Sequence, residues 1–194
     1  MTTARPRARL LASTITTVQE VGVHAAGLAE LLKRSNASRN SLYQHFPEGK
    51  GQLVETATRI VSRVVHSHLN VMADKLATAP SADRWLDELF AFWLDPLESS
   101  EYRLGSFMMA AALDESDPAV RAAAGQAFAE WTSRLAAGLV AAGLDDTTAR
   151  SVAGLLLSVI EGAIVQSRAL GSSAPFDDAR TQLGVLLRHH LPDR

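Results

Sequence analysis

The helical periodicity of apolar residues is the feature that most constrains the fold of this 194-residue chain. Leu11, Ile15 and Val18 recur at the spacing that places them on one face of a helix, and later segments repeat that pattern. No segment shows the sustained alternation of apolar and polar residues that a half-buried strand requires. The sequence therefore predicts an all-α fold.

Breaks in the apolar pattern divide the chain into helices. Gly22 is expected to end the first helix, and Asn36 to adopt the left-handed conformation in the turn between the second and third. Ser38 can cap the third helix, Pro47 ends it, and Pro96 is expected to end the fifth. The predicted helices cover residues 7–21, 26–34, 39–46, 50–77, 82–95, 103–113, 117–142, 147–170 and 176–190.

Composition limits the chemistry that is open to the chain. It has no cysteine, so disulfides, thiolate nucleophiles and cysteine-ligated metal sites are excluded. Polar residues interrupt the apolar stretch 10–23, which therefore lacks a signal-peptide core. The chain has no run of about 18 apolar residues, so no membrane span is expected. We expect a cytoplasmic protein.

Charge is distributed unevenly along the chain. Residues 1–70 contain nine basic and four acidic residues, a net charge of +5, whereas residues 71–194 have a net charge of -7. A basic region joined to an acidic one indicates that the first meets a polyanion and the second does not. Two ordinary surfaces that differ by chance are the alternative.

Two short helices joined by a turn of about four residues form a candidate helix-turn-helix. The second helix starts with Ser38, Arg39, Asn40 and Ser41. An arginine can donate two hydrogen bonds to a guanine edge, an asparagine can bind adenine or a phosphate, and a serine can contact either. The pattern predicts a helix that reads the major groove of double-stranded DNA.

Phosphate contacts are expected from three further residues. Tyr43 and His45 lie on the third helix, and both can donate hydrogen bonds to the DNA backbone. Lys50 opens the next helix and adds a cation beside a positive helix end.

The stretch from Leu10 to Val54 resembles the N-terminal domain of the TetR family of transcriptional regulators. The likeness is strongest in Leu42-Tyr43-x-His45-Phe46, which is followed by Lys50 and Leu53. The segment from Pro47 to Lys50 is similar to that of the LmrA and YxaF subgroup, which represses multidrug-export genes. Ala26-Gly27 replaces the family's usual Thr-Ser, so the second helix lacks its capping hydroxyl.

The resemblance implies a two-domain organisation. A three-helix helix-turn-helix DNA-binding domain, residues 1–50, would be joined by a long helix, about 50–77, to a helical ligand-binding and dimerisation domain within 51–194. It also implies a ligand-responsive repressor. The dimer would bind a palindromic operator with recognition helix 39–46 and be released by a small apolar or aromatic effector.

The segment 149–170 is apolar almost all round and must be buried on both sides. Either one side faces a second subunit, or the helix is central in a monomer. With Leu183, Leu186 and Leu187 on the last helix, we expect a homodimer formed through about 147–190.

Large apolar side chains are concentrated in the middle third of the chain. They suit either an apolar ligand pocket or an ordinary core. Glu161 lies within an apolar helix and needs a polar partner, which is a ligand, Arg103 or Arg168, or the second subunit. The candidate ligand-binding residues are Trp85, Phe92, Trp93, Phe107, Met108, Phe128, Trp131 and Glu161.

Other functions find little support. The chain has none of the common nucleophile, phosphate-loop or zinc-protease motifs, so we do not expect an enzyme or a cofactor. His66 and His68 diverge on a helix, and His189 and His190 are adjacent, so no metal site is expected. An all-α protein-interaction module is the remaining alternative.

Overall fold

The computed structural model describes residues 5–191, and this part of the chain contains nine α-helices and no strand. The all-α prediction is thus confirmed. The helices are α1 (Pro6–Ala25), α2 (Leu28–Ser35), α3 (Arg39–His45), α4 (Lys50–Leu76), α5 (Ala82–Ser99), α6 (Phe107–Ala112), α7 (Pro118–Ala141), α8 (Asp146–Leu170) and α9 (Ala174–His190).

The chain folds into two compact units. The N-terminal unit combines the chain up to Arg63 with Ser106–Ala127, and the C-terminal unit combines Val64–Gly105 with the chain from Phe128 onward. Helices α4 and α7 each contribute residues to both units. The predicted domain boundary at residue 50 stays a prediction, and the N-terminal unit is discontinuous in sequence.

Helix α1 is the centre of the N-terminal unit, where it packs against α2, α3 and α6. Gly22 interrupts it with φ +79° and ψ 169°, a conformation that glycine adopts without steric cost. The predicted break at Gly22 is therefore present, although helical structure resumes as far as Ala25. Buried Phe107, Met108 and Ala111 of α6 belong to this unit.

The predicted end of the fifth helix at Pro96 is wrong. Helix α5 continues through Pro96 to Ser99, with Leu97 on the following turn only 3% exposed. Burial of that leucine favours continuing the helix, although proline cannot donate a backbone hydrogen bond. Two residues with positive φ, Glu101 and Tyr102, then turn the chain away.

Helices α5, α8 and α9 pack together in the C-terminal unit. Phe90 of α5 meets Phe176 of α9 edge to face, with ring centroids 5.6 Å apart. Arg180 and Arg188 of α9 pair with acidic residues of α5. Asp145 caps α8 by accepting hydrogen bonds from two backbone N–H groups at its start.

Helices α4 and α7 approach each other closely within the C-terminal unit. A Cβ atom added at Gly138 would lie 2.7 Å from Ala73 Cβ and 2.9 Å from Ala73 O. Beside this contact, the Arg134 guanidinium donates to Asn70 Oδ1 at 2.6 Å and pairs with Asp74. The glycine lets the two helix backbones pack at short range.

A groove of about 620 Å³ runs between α8 and α9. By length and composition α8 would suffice to cross a membrane, and half of its most apolar stretch is buried inside the protein. The groove is lined in part by Leu155, Val159, Gly162, Ala179, Leu183 and Leu186.

Gly138→Ala should destabilise the protein. The added methyl group collides with the backbone of Ala73, so α4 and α7 must separate locally, at a cost of about 1–3 kcal/mol. Urea denaturation followed by circular dichroism should show a lower unfolding midpoint. Gly125→Ala on the same helix is the matched control, since an added Cβ there meets nothing within 4 Å. That control should be stabilised by about 0.5–1 kcal/mol, and equal effects of the two changes would contradict the close contact.

His68 is half-buried against two aromatic rings in the C-terminal unit. Its imidazole stacks on Phe92 with centroids 4.3 Å apart and meets Trp93 edge-on at 5.5 Å. Its Nε2 lies 3.2 Å from the carbonyl oxygen of Leu89. Burial lowers the pKa of His68 below its usual 6.5, and the Leu89 hydrogen bond opposes part of that shift.

Protonation of His68 should therefore weaken the fold at mildly acidic pH. As the pH falls below about 6.5, the unfolded chain binds this proton before the folded protein does, so the free energy of unfolding decreases. Urea denaturation at pH 7.5 and 5.5 should show a larger loss of stability for the wild type than for His68→Phe. An equal loss in both proteins would mean that His68 does not contribute.

Candidate nucleic-acid interface

Helix α3 is held in place by its cap and by two buried side chains. Ser38 has extended backbone angles, and its Oγ accepts the N–H of Ser41 at 3.1 Å, as predicted from the sequence. Leu42 is fully buried and Phe46 is 1% exposed. The Arg7 guanidinium lies 5.5 Å from the centre of the Phe46 ring. These contacts fix which face of α3 points outward.

Most of the predicted DNA-binding side chains are exposed together on α3. Arg39, Asn40, Tyr43 and His45 are exposed, and Ser41 is half-buried. Arg39 makes no ion pair or side-chain hydrogen bond within residues 5–191. These polar groups are therefore available to an external partner.

Two neighbouring cations, Arg9 and Arg34, have internal partners instead. Arg9 of α1 donates from Nε to Ser35 O at 2.9 Å and from a terminal nitrogen to Asn36 O at 3.1 Å. Arg34 pairs with Glu20 and Glu30. These bonds join α1 to α2 and to the turn that precedes α3, and Asn36 in that turn is left-handed as predicted, with φ 48° and ψ 48°. Arg9 and Arg34 thus stabilise the hairpin, whereas Lys33 of α2 is exposed and forms no ion pair or hydrogen bond within residues 5–191.

Lys50 is half-buried at the start of α4, and its ammonium has an internal partner. Its Nζ donates to Val23 O at 2.8 Å, just after the Gly22 break in α1. Burial lowers the pKa of the Lys50 ammonium below its usual range, and the carboxylate of Asp114 opposes part of that shift. An ammonium has three donors, so this contact leaves others for a phosphate.

The α6–α7 loop lies against the start of α4 within the same unit. Asp114 is 5% exposed, and its Oδ1 accepts hydrogen bonds from the backbone N–H and the hydroxyl of Ser116. A Cβ added at Gly51 would collide with the carboxylate of Asp117. Acidic groups of this loop therefore lie close to Lys50, a proximity that the sequence did not reveal because more than 60 residues separate them.

Helix α2 starts without a side-chain cap, as the sequence predicts. Gly27 occupies the N-cap position and makes no capping hydrogen bond. The first N–H groups of α2 thus lack the hydroxyl that a serine or threonine would supply.

The candidate ligand-binding residues are divided between the two units. Phe107 and Met108 belong to the N-terminal unit, and the other six to the C-terminal unit. Trp85, Phe107, Met108 and Trp131 are at most 2% exposed, whereas Phe92, Trp93, Phe128 and Glu161 are partly exposed. The first four act as core side chains in this structure, and a ligand role for the set stays a prediction.

One exposed residue of α3 was absent from the predicted set. Gln44 follows Asn40 by four residues and has no side-chain hydrogen bond within the described part of the chain. Helical spacing was the signal that could have identified it.

Two family models match the chain. Residues 10–57 match the bacterial regulatory proteins of the tetR family, and residues 84–182 match the C-terminal domain of LmrA/YxaF-like transcriptional regulators. The two matches include α3 and most of α5–α9.

Relatives extend the match over almost the whole chain. An HTH-type transcriptional regulator of Mycobacterium tuberculosis strain H37Rv is 30% identical over 97% of each chain. YxaF, an HTH-type transcriptional regulator of Bacillus subtilis, is 26% identical over 94% of this chain and 95% of its own. A crystal structure of a TetR transcriptional regulator from Legionella pneumophila has the same fold, with a TM-score of 0.83 at 21% identity over 94% of this chain and 97% of that one.

These matches describe transcriptional regulators rather than enzymes. They agree with the outer face of α3, whose exposed polar side chains have no partner among the described residues. Regulators of this kind bind DNA and form dimers. The chain therefore belongs to the TetR family of bacterial transcriptional regulators and has an LmrA/YxaF-like C-terminal domain.

Proposed function

We propose that this regulator is a ligand-responsive cytoplasmic repressor whose homodimer binds a palindromic operator. The observation that carries the DNA-binding part is the outer face of α3, where several polar side chains have no partner among the described residues. Arg9 of α1 and Arg34 of α2 are paired internally, whereas the polar groups on the outer face of α3 are not. Double-stranded DNA presents the complementary donors, acceptors and charge.

Each side chain on α3 has a role that follows from its chemistry. Arg39 would donate two hydrogen bonds to a guanine edge, and Asn40 would bind an adenine or a phosphate. Ser41, whose backbone N–H is bonded to the capping Ser38, would contact a base or the backbone. Tyr43, which is 47% exposed, and His45 would donate to phosphates.

Lys50 would complete the phosphate contacts from the start of α4. Its bond to Val23 O holds the ammonium in place, and its remaining donors would face the DNA backbone. The nearby Asp114 carboxylate reduces the net positive charge that a phosphate meets there.

The groove between α8 and α9 would receive the same two helices of a second copy. Leu155, which lines the groove, is 45% exposed, so part of its apolar lining remains uncovered in one chain. Elsewhere on the same two helices, Val165 is 45% and Val185 54% exposed. Gly162 lines the groove and has open space above its Cα, which permits close helix approach. A two-fold dimer would bury this surface symmetrically and present two α3 helices to the two halves of a palindrome.

The effector would bind in the C-terminal unit and act through differential affinity. Phe92 and Trp93 are partly exposed beside His68, which offers an aromatic surface to an apolar or aromatic molecule. Glu161 would supply a polar contact. A ligand releases DNA only if it binds more tightly to a dimer whose α3 helices are wrongly spaced for the operator.

Selection from a random duplex library tests DNA binding directly. The wild-type protein should enrich a palindromic sequence and bind it about a thousandfold more tightly than scrambled DNA at near-physiological salt. Arg39→Ala should weaken binding to that duplex by about 5- to 150-fold, because a bidentate contact to guanine is lost. Arg59→Ala removes the same charge from α4, where Arg59 pairs with Glu55, and serves as the matched control.

Failure to enrich any sequence would contradict operator binding. Weak, sequence-independent binding that falls steeply with salt would indicate phosphate contacts alone. An enriched duplex would also serve to screen effectors by release of the DNA, which tests the ligand-responsive part of the proposal.

Leu155→Glu should disrupt the dimer. The carboxylate would enter an apolar interface without a partner, which is strongly unfavourable. Sedimentation equilibrium should give twice the 20.8 kDa chain mass for the wild type and a mass shifted toward one chain for the variant. Val71→Glu is the control, since Val71 of α4 is 52% exposed and lies outside the groove. A variant that remained fully dimeric would place the interface elsewhere.

A further inference from the structure

Helix α3 presents two amide side chains along its most outward line. Burial of Leu42 defines the inward direction of the helix. At about 100° per residue, Asn40 and Gln44 fall within about 20° of the opposite direction. Arg39 and Tyr43 lie on one flank, and the other flank carries Ser41 and His45.

Neither amide side chain has a hydrogen-bond partner among the described residues. Asn40 and Gln44 are exposed, and neither side chain forms a hydrogen bond within residues 5–191. Gln52, an amide on the neighbouring helix, differs because its Oε1 accepts the backbone N–H of Glu48 at 3.2 Å. The outward amides of α3 thus retain one acceptor and two donors each.

The spacing of these amides along α3 matches base pairs that lie about two steps apart. A separation of four residues along a helix is about 6 Å, close to two steps of about 3.4 Å along a DNA strand. An asparagine or glutamine amide can donate to N7 and accept from N6 of adenine at once, and no other base offers that pair of groups in the major groove.

We propose that Gln44 is a specificity-determining residue that reads an adenine one or two base pairs from the base contacted by Asn40. With Asn40 on an adenine rather than a phosphate, each half of the operator contains two closely spaced A·T pairs beneath the centre of α3. The inference rests on the proposed operator binding and deepens it, since it names the base class that this residue recognises.

The test uses the full-length protein and the duplex that the wild type selects. Each base pair of one half-site is replaced in turn, and binding is measured for the wild type, Gln44→Ala and His45→Ala. The wild type should prefer A·T at one position by about 5- to 150-fold, and Gln44→Ala should lose that preference while keeping the others. His45→Ala, on the flank of the same helix, should weaken binding to all duplexes by a similar factor.

Gln44→Glu supplies a second, independent measurement. A carboxylate accepts hydrogen bonds but cannot donate them, so it should prefer the N4 amino group of cytosine at the same position. A shift from adenine toward cytosine at that base pair, with unchanged preferences elsewhere, would support the assignment.

Two results would overturn the inference. If Gln44→Ala weakens binding to every duplex equally, Gln44 contacts the backbone, and if its preferences are unchanged, Gln44 contacts no base. In both cases the wild type still selects a sequence, so the proposed function survives. Failure of the wild type to select any sequence would instead overturn operator binding, and the inference with it. Circular dichroism of each variant checks that helix content is retained.

Discussion

Burial of Leu42 and Phe46 sets which face of α3 points into the protein and which points outward. Every functional assignment on that helix follows from this orientation. A helix of seven residues is too short to be stable alone, so tertiary contacts must hold it. The Ser38 cap sets where it starts, and the two apolar side chains set which way it faces. The polar side chains then point outward because no inward position is left for them.

The charge of the N-terminal unit is divided between structure and recognition. Arg9 and Arg34 satisfy carbonyl and carboxylate oxygens that join α1, α2 and the turn before α3. Within residues 5–191, Arg39 has no such partner, and the Lys50 ammonium donates a hydrogen bond only to the carbonyl of Val23. Net charge alone would have suggested a broad basic patch. The hydrogen bonds instead commit Arg9 and Arg34 to the fold and leave the polar groups of α3 open to DNA, which favours sequence recognition over general attraction to a polyanion.

Sequence reasoning succeeded where a local rule applied. The left-handed Asn36, the Ser38 cap and the missing cap at Gly27 each depend on a few adjacent residues, and all are present in the structure. It was wrong at Pro96, through which α5 continues, and it could not identify the carbonyl partner of Lys50, which lies 27 residues earlier in the chain. Periodicity identified the helices of the candidate site and the apolar face of α8, but it could not tell which aromatic residues would be fully buried, because burial depends on helices distant in sequence.

The packing of α6 on α1 means that the part of the protein expected to read DNA is not a transferable N-terminal fragment. Phe107, Met108 and Ala111 are buried in the unit that contains α1–α3, although more than 40 residues separate them from its first segment. A fragment cut after Arg63 would leave α1 with an uncovered apolar surface. Chimeras that exchange sensor domains between regulators of this type would therefore need to carry α6 and the start of α7 with the DNA-reading helices, or redesign the side chains of α1 that face them.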